Sequence, residues 1–147
     1  MPVRRKALDW LEMAEDDFKD CERDYRDERY PSAIHHAEQC AQKAIKAVIV
    51  ALGFDPGKTH RPTVVLKSLI AGGLVNLGKE HMDLLNRAIT YSITLEDQGT
   101  VPRYGWETVD RIIKPSEIYD REKTALFISN AKAVLEAVRK LLGGMDC

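Results

Sequence analysis

The chain has 147 residues, a length that suits one folded domain with a core of its own. Apolar residues make up 44% and charged residues 31%, which is typical of a globular protein and excludes a disordered one. The formal net charge is −1, so no overall positive field is available to hold a long nucleic acid. Any contact with nucleic acid must therefore be local.

The cysteines and the apolar runs predict a cytoplasmic protein that does not enter a membrane. Three cysteines, Cys21, Cys40 and Cys147, are an odd number without metal-ligand spacing, which argues against a disulfide framework and a zinc site. Acidic residues soon after the N-terminus leave no room for the apolar core of a signal peptide. The longest apolar run, residues 47–54, is far shorter than the about 20 residues that a membrane-spanning helix needs.

Helical periodicity runs through the first half of the chain. Between Val3 and Tyr25, apolar residues recur at threes and fours, which predicts a long amphipathic helix with a charged, solvated outer face. A second helix is expected from Pro31 to Leu52, before Gly53, and its apolar positions cover more than half of its circumference. A short third helix should begin at Pro62 and end before Gly72 and Gly73.

The second half predicts two more helices around a long loop. One helix is expected over residues 79–97, and the last should begin within 116–120 and continue to Leu142. No segment shows the alternation of a strand. The sequence thus predicts an all-α, antiparallel up-and-down bundle of four long helices plus a short helix, as one domain over residues 1–147. The loop over residues 98–115 concentrates aromatic and basic side chains: Arg103, Tyr104, Trp106, Arg111 and Lys114.

Two surfaces are candidates for binding. In the second helix, polar residues recur at spacings of four, three and four, which places them on one face: His35, Gln39, Gln42 and Lys46. This stripe is either the solvated side of the helix or a binding surface shielded between neighbours. Arg103 and Tyr104 form the second candidate, because a guanidinium suits a phosphate and a tyrosine ring can stack on a base.

Motifs for common chemistries are missing. The segment 53–59 ends in Gly-Lys-Thr, but it has one residue too few between its glycines and follows a helix, which excludes a P-loop. The chain has no Glu-x-x-His pair for a metal site in a bundle, and neither Cys21 nor Cys40 has the local signature of a catalytic thiol. His35 and His36 are either surface residues or candidates for a general base.

Several segments along the chain together form a family signature: Trp10, Ala14, Tyr30, Ala33, His35, the run 37–47, Thr59-His60, Arg103-Tyr104 and the closing alanine-rich helix. These segments resemble the HEPN domain (higher eukaryotes and prokaryotes nucleotide-binding). The resemblance covers nearly the whole chain and implies an up-and-down bundle, often dimeric, similar to the substrate-binding subunit of two-component nucleotidyltransferases. Such proteins are frequently paired with a separate minimal nucleotidyltransferase, and related members are ribonucleases or toxins of toxin–antitoxin systems.

The sequence departs from the family pattern at the positions that matter for catalysis. Ribonuclease members resemble one another in an arginine followed, after four to six residues, by a histidine near the start of a late helix, but no histidine follows Arg103 here. Arg29 and His35 have such a spacing, yet they lie at the start of the second helix. Gln42 stands where the family usually has Glu, and Gly105 where it often has Pro. We therefore assign no catalytic residue, metal or cofactor.

Three hypotheses follow. The first is a non-catalytic, dimeric HEPN-like module that binds a nucleotide or another phosphate-bearing ligand and partners a minimal nucleotidyltransferase. The second is a metal-independent ribonuclease or toxin, with His35 or His36 as the base and Arg29 or Arg103 stabilising the transition state. The third is a structural dimer or interaction protein. For the first, the expected ligand residues are Arg103, Tyr104, His35, His36, Gln39, Lys43 and Lys46.

Overall fold

The computed structural model describes residues 2–145 and the side chains of residues 4–145, so the predicted free thiol of Cys147 lies outside the described residues. None of the helices in this part of the chain is long and apolar enough to cross a membrane. The elements in chain order are α1 (Pro2–Arg26), α2 (Tyr30–Ala51), α3 (Pro62–Ala71), α4 (Lys79–Glu96), α5 (Val101–Tyr104), β1 (Trp106–Glu107), β2 (Ile112–Ile113), α6 (Pro115–Ile118) and α7 (Arg121–Gly144).

Helix α2 is the centre of the bundle. It packs most extensively against α1, and it also contacts α7, α4, α3, α5 and α6. Its alanines let the neighbouring helices approach closely, and Ala33, Ala37, Ala41 and Ala44 are all fully buried. The all-α fold with four long helices and a short one is thereby confirmed. Because α2 lies in the middle, its polar side chains must either find partners among its neighbours or point at a surface cleft.

Local sequence signals set the helix ends. Pro31 and Pro62 occupy the first turns of α2 and α3, where a missing N–H costs nothing. Asp120 caps α7, since its side chain accepts a hydrogen bond from the backbone N–H of Lys123 at 2.8 Å. After α2, Gly53 takes a φ of +94°, a left-handed conformation that favours glycine.

The segment between α4 and α7, predicted as a loop, contains two single-turn helices and a small hairpin. Strands β1 and β2 pair antiparallel, with Trp106 opposite Ile113. Gly105 has a φ of +74°, and a Cβ atom at this position would collide with the carbonyl oxygen of Ile113. Each strand has only two residues, too few for an alternating pattern in the sequence. The hairpin projects from the bundle, with Trp106 60% exposed and Val109 fully exposed.

Cys21 and Cys40 are free and completely buried where α1 meets α2. Burial raises the pKa of both thiols, that of Cys21 to about 12. These two cysteines are therefore packing residues, with thiols that stay protonated at neutral pH.

Candidate functional site

On one side of α2, polar groups are held by α1. The Nδ1 atom of His36 lies 2.8 Å from Oδ2 of Asp24, and the Ser32 hydroxyl donates a hydrogen bond to the same oxygen at 2.6 Å. With Asp24 ionised, His36 donates from Nδ1, which fixes the orientation of its ring. His36 is thus tied to the interface between the two helices.

The two lysines of α2 also face α1. The Lys43 ammonium lies 2.6 Å from Oδ2 of Asp17, in an ion pair whose side chains are 28% and 14% exposed. The Lys46 ammonium lies 5.3 Å from the centre of the Trp10 ring, a cation–π distance. Burial lowers the pKa of Lys46, and the positive charge of Lys43 lowers it further. Both cations are therefore engaged within the bundle.

His35 interacts electrostatically with Arg103 of α5 and also with the Asp17–Lys43 pair. It is half-buried, and its ring centre lies 5.5 Å from that of His36. Burial lowers the pKa of His35, and the positive charges of His36 and Arg103 lower it further. The imidazole is consequently neutral at neutral pH, able to accept a proton or a hydrogen bond.

Arg103 lies in α5 with its side chain in solvent. Its guanidinium carbon is 5.5 Å from the centre of the Tyr104 ring, which is 68% exposed. Within the described part of the chain, no carboxylate forms an ion pair with Arg103. We call His35, Arg103 and Tyr104 the Arg103 surface: a cation without a carboxylate partner, an exposed aromatic ring and a neutral imidazole.

Beneath this surface lies a buried carboxyl group. Glu38 follows His35 by almost one turn of α2 and is only 6% exposed. The Gln42 amide donates a hydrogen bond to its Oε1 at 3.0 Å, while its buried Oε2 has no hydrogen-bond partner among residues 4–145. Burial raises the pKa of Glu38 to about 7, although the charge of Arg103 and the Gln42 hydrogen bond oppose the shift. Glu38 is therefore partly protonated at neutral pH.

A second buried carboxyl group comes from α4. Glu96, 3% exposed, accepts hydrogen bonds from the backbone N–H of Thr63 at 3.1 Å and from its hydroxyl at 2.5 Å. Burial raises the pKa of Glu96, whereas the Thr63 bonds lower it. The charge of Glu96 also raises the pKa of Glu38. We call Glu38, Gln42, Thr63 and Glu96 the buried carboxyl cluster.

Tyr119 connects this cluster to an open groove beside the hairpin. It is 1% exposed, and its hydroxyl donates a hydrogen bond to Oε1 of Gln98 at 2.9 Å. Burial and the charge of Glu38 raise the pKa of Tyr119 to about 12. The groove has a volume of about 340 Å³ and a mostly apolar lining that includes Val101, Trp106, Ile113 and Ile118.

The predicted ligand residues do not converge on one point. Arg103 and His35 lie close enough for their charges to interact, and Tyr104 lies beside Arg103, whereas His36, Lys43 and Lys46 contact residues of α1. Gln39, half-buried, lies between His36 and Lys43 along α2. From His35 to Lys46 the helix rises roughly 16 Å, too far for one small ligand to span. The Arg103 surface is the best-assembled part.

Sequence reasoning missed the buried carboxyl cluster. Its one local signal is Glu38 followed by Gln42, two polar residues one turn apart on a helix that is otherwise apolar on that side. Nothing in the sequence connects them to Thr63 or Glu96, which come from distant segments. Arg29, the alternative arginine of the ribonuclease hypothesis, precedes α2 and is exposed.

Comparison with known proteins gives a consistent result. The sequence profile of the HEPN domain matches residues 7–141. Among curated proteins, the chain is similar to "Putative toxin MJ1304" of Methanocaldococcus jannaschii, with 25% identity over 133 residues, covering 90% of this chain and 86% of that protein.

Solved structures show the same fold. The crystal structure of ST0689, an archaeal HEPN homologue, superposes with a TM-score of 0.63 at 20% identity and covers 92% of this chain and 97% of that one. The crystal structure of TT1696 from Thermus thermophilus gives a TM-score of 0.62 at 19% identity. The match covers 92% of this chain and 98% of that one.

Proposed function

We propose that this chain, which belongs to the HEPN domain family, binds a nucleotide or another phosphate-bearing ligand at the Arg103 surface. The observation that carries the proposal is the state of Arg103, an exposed guanidinium with no carboxylate in ion-pair contact within the described residues. A guanidinium can bind two phosphate oxygens at once, which gives both strength and orientation.

The neighbours of Arg103 suit the rest of a nucleotide. The exposed Tyr104 ring offers a face on which a base can stack, and the neutral His35 can exchange a hydrogen bond with a hydroxyl or a phosphate oxygen. The apolar groove with Trp106 at its edge provides further room for a planar group. Since the net charge is −1, the site suits a short or single-stranded ligand better than a long duplex.

In this proposal the module works as a homodimer in the cytoplasm and partners a minimal nucleotidyltransferase. The family resemblance supports this assembly, and so do the exposed apolar side chains of the hairpin region, which suit a protein contact: Trp106, Val109 and Ile112. Co-purification with a small nucleotidyltransferase, at a mass that contains two copies of this chain, is the expected result. A monomer with no such partner would favour a free-standing role.

The binding site is tested by replacing Arg103 with alanine. Calorimetry with a panel of nucleotides and short RNA oligonucleotides should detect at least one ligand, and Arg103→Ala should weaken its binding by about tenfold or more. Arg139→Ala is the matched control, because Arg139 is also exposed but is paired with Glu15 at 3.0 Å. If no ligand binds, or both variants bind it like the wild type, the proposal fails.

A second candidate function is RNA cleavage by a toxin. It is favoured by the similarity to a protein named as a toxin and by a neutral imidazole close to a guanidinium that forms no ion pair with any described carboxylate. In such a reaction His35 takes the proton of a ribose 2′-hydroxyl, the 2′-oxygen bonds to phosphorus, and the bond to the 5′-oxygen breaks as that oxygen takes a proton from water. Arg103 stabilises the phosphorane charge. RNA cut by the wild type but not by His35→Gln would support this function, and intact RNA with both proteins would exclude it.

A further inference from the structure

We propose that a phosphate group binds at the Arg103 surface together with one proton, and that this proton is held on Glu38. This inference rests on the proposed function, because it describes the same site. It assigns to Glu38 a role that acts through Arg103: the side chain is buried, so it sets the charge beneath the site without touching the ligand.

The first support is the arrangement of hydrogen bonds on Glu38. Oε1 accepts a hydrogen bond from Gln42, but Oε2 is buried and accepts none from the part of the chain that the structure describes. A buried carboxylate oxygen without a donor is costly, whereas a protonated oxygen carries no charge at that point. Oε2 of Glu38 is therefore the atom on which we place the proton.

The second support is that Arg103 is shared. Its positive charge lowers the pKa of both Glu38 and His35, so it acts on the buried carboxyl group and on the surface at once. When Glu38 is ionised, its negative charge compensates part of the charge of Arg103. A bound phosphate would supply a second negative charge to the same guanidinium, and Coulomb repulsion between the two anions favours protonation of Glu38.

The other titratable and charged groups that face Glu38 do not provide the available positive charge that Arg103 provides. From α4, Glu96 adds a like charge, which opposes the ionised form of Glu38. Arg61, before α3, favours the ionised form, but its guanidinium is already paired with Asp97 at 3.0 Å. Tyr119 interacts with the charge of Glu38 and stays neutral at physiological pH. Arg103 is therefore the cation for which Glu38 and the ligand compete.

The sign of the effect follows from linkage. Burial places the pKa of Glu38 at about 7 in the free protein, so the group is mostly protonated at pH 6 and mostly ionised at pH 8. If the bound state requires the proton, affinity is fully present below that pKa and falls as the pH rises through it. Between pH 6 and pH 8, affinity should fall by about tenfold.

The experiment is calorimetry with pentauridylate, whose phosphodiesters and bases keep their charge between pH 6 and pH 8. Wild type should bind it about tenfold more tightly at pH 6 than at pH 8, and at pH 8 it should take up close to one proton, measured in two buffers of different ionisation heat. Glu38→Gln, which keeps the shape of the side chain without its charge, should bind equally at both pH values. His35→Gln should bind more weakly at both but keep the tenfold ratio.

Each alternative outcome has a distinct meaning. A wild-type affinity that depends on Arg103 but does not change with pH overturns the inference and leaves the proposed function standing. If the tenfold difference in affinity between pH 6 and pH 8 remains in Glu38→Gln and disappears in His35→Gln, the proton belongs to His35. This result also overturns the inference. If pentauridylate and the nucleotide panel fail to bind at any pH, the proposed function itself fails. Proton uptake by the wild type needs no variant, so a misfolded Glu38→Gln would not prevent the test.

Discussion

On its α1 side, helix α2 places its basic residues against acidic or aromatic partners: His36 on Asp24, Lys43 on Asp17 and Lys46 on the Trp10 ring. On its α5 side, the buried Glu38 keeps one oxygen without a hydrogen bond, and Arg103 above it has no ion-pair partner among the described residues.

This contrast separates charges that hold the fold from charges available to a ligand. A partnered charge contributes to stability and little to binding, since its partner competes with any incoming group. A charge left without a partner contributes little to stability, and its presence is better explained by something that binds there. Substitutions on the α1 side should therefore change stability without changing ligand affinity. Substitutions on the α5 side should change ligand affinity, and removing the buried charge of Glu38 should also raise stability at high pH.

The largest expected effect is on the α5 side and concerns stability at high pH. The pKa of Glu38 is raised from 4.5 to about 7 by folding, so the folded state holds the proton more tightly and stability falls as the pH rises from about 4.5 through 7. Glu38→Gln removes this loss and should raise the free energy of unfolding at pH 8 by about 2 kcal/mol. Urea unfolding at pH 5 and pH 8 measures it.

The difference in the free energy of unfolding between the Glu38→Gln variant and the wild type should become smaller toward pH 5, because Glu38 is protonated there in the folded state. Glu96 also has a raised pKa, and because it interacts with Glu38, removal of the Glu38 charge should lower the pKa of Glu96 and add to the stabilisation at pH 8. A Glu38→Gln variant that is less stable than the wild type at pH 8 would mean that the ionised carboxylate has a stabilising partner.

A smaller effect is expected on the α1 side. Lys43→Ala leaves the carboxylate of Asp17, which is 14% exposed, without its ion-pair partner. The free energy of unfolding, measured in urea, should therefore fall by about 1.5 kcal/mol. Ligand affinity should stay unchanged. Arg5→Ala is the control, since the Arg5–Asp9 pair is exposed and its loss should cost less than about 0.5 kcal/mol. Weaker ligand binding at unchanged stability would move Lys43 into the site.

The smallest effect is expected at Lys46. In Lys46→Met the cation–π contact with Trp10 is lost, worth about 0.5–1 kcal/mol, but the cost of burying the ammonium is removed as well. Thermal and urea unfolding should thus change by no more than about 0.5 kcal/mol, and calorimetry should show the same affinity as the wild type. A clear loss of binding would extend the site along the whole of α2.

The helices were predictable because their signals are local. Periodicity located α1, α2, α4 and α7, while prolines at first turns and glycines beyond last turns located the ends of α2 and α3. Helix α7 extends two residues past its predicted end at Leu142 and includes Gly143 and Gly144. The hairpin of β1 and β2 was not predictable, since two-residue strands carry no pattern and are stabilised by their pairing with each other.

The site was predictable only in its surface residues. Arg103, Tyr104 and His35 could be chosen by chemistry, but a single sequence cannot say which side of α2 faces α1. The acidic residues Asp17 and Asp24 were predicted as part of a solvated face, although the structure pairs them with α2. Glu38 was missed because its raised pKa arises first from burial in the folded bundle, and the charges that modify it, Arg103 and Glu96, are remote in sequence.

Gly105 gives the hairpin an unusually narrow tolerance to mutation. Every other amino acid would add a Cβ atom that meets the Ile113 carbonyl, and proline could not adopt a φ of +74°. In a library that randomises this codon and is selected for function, glycine should be the main survivor. The path of the chain from α5 into β1 therefore depends on a single residue without a side chain.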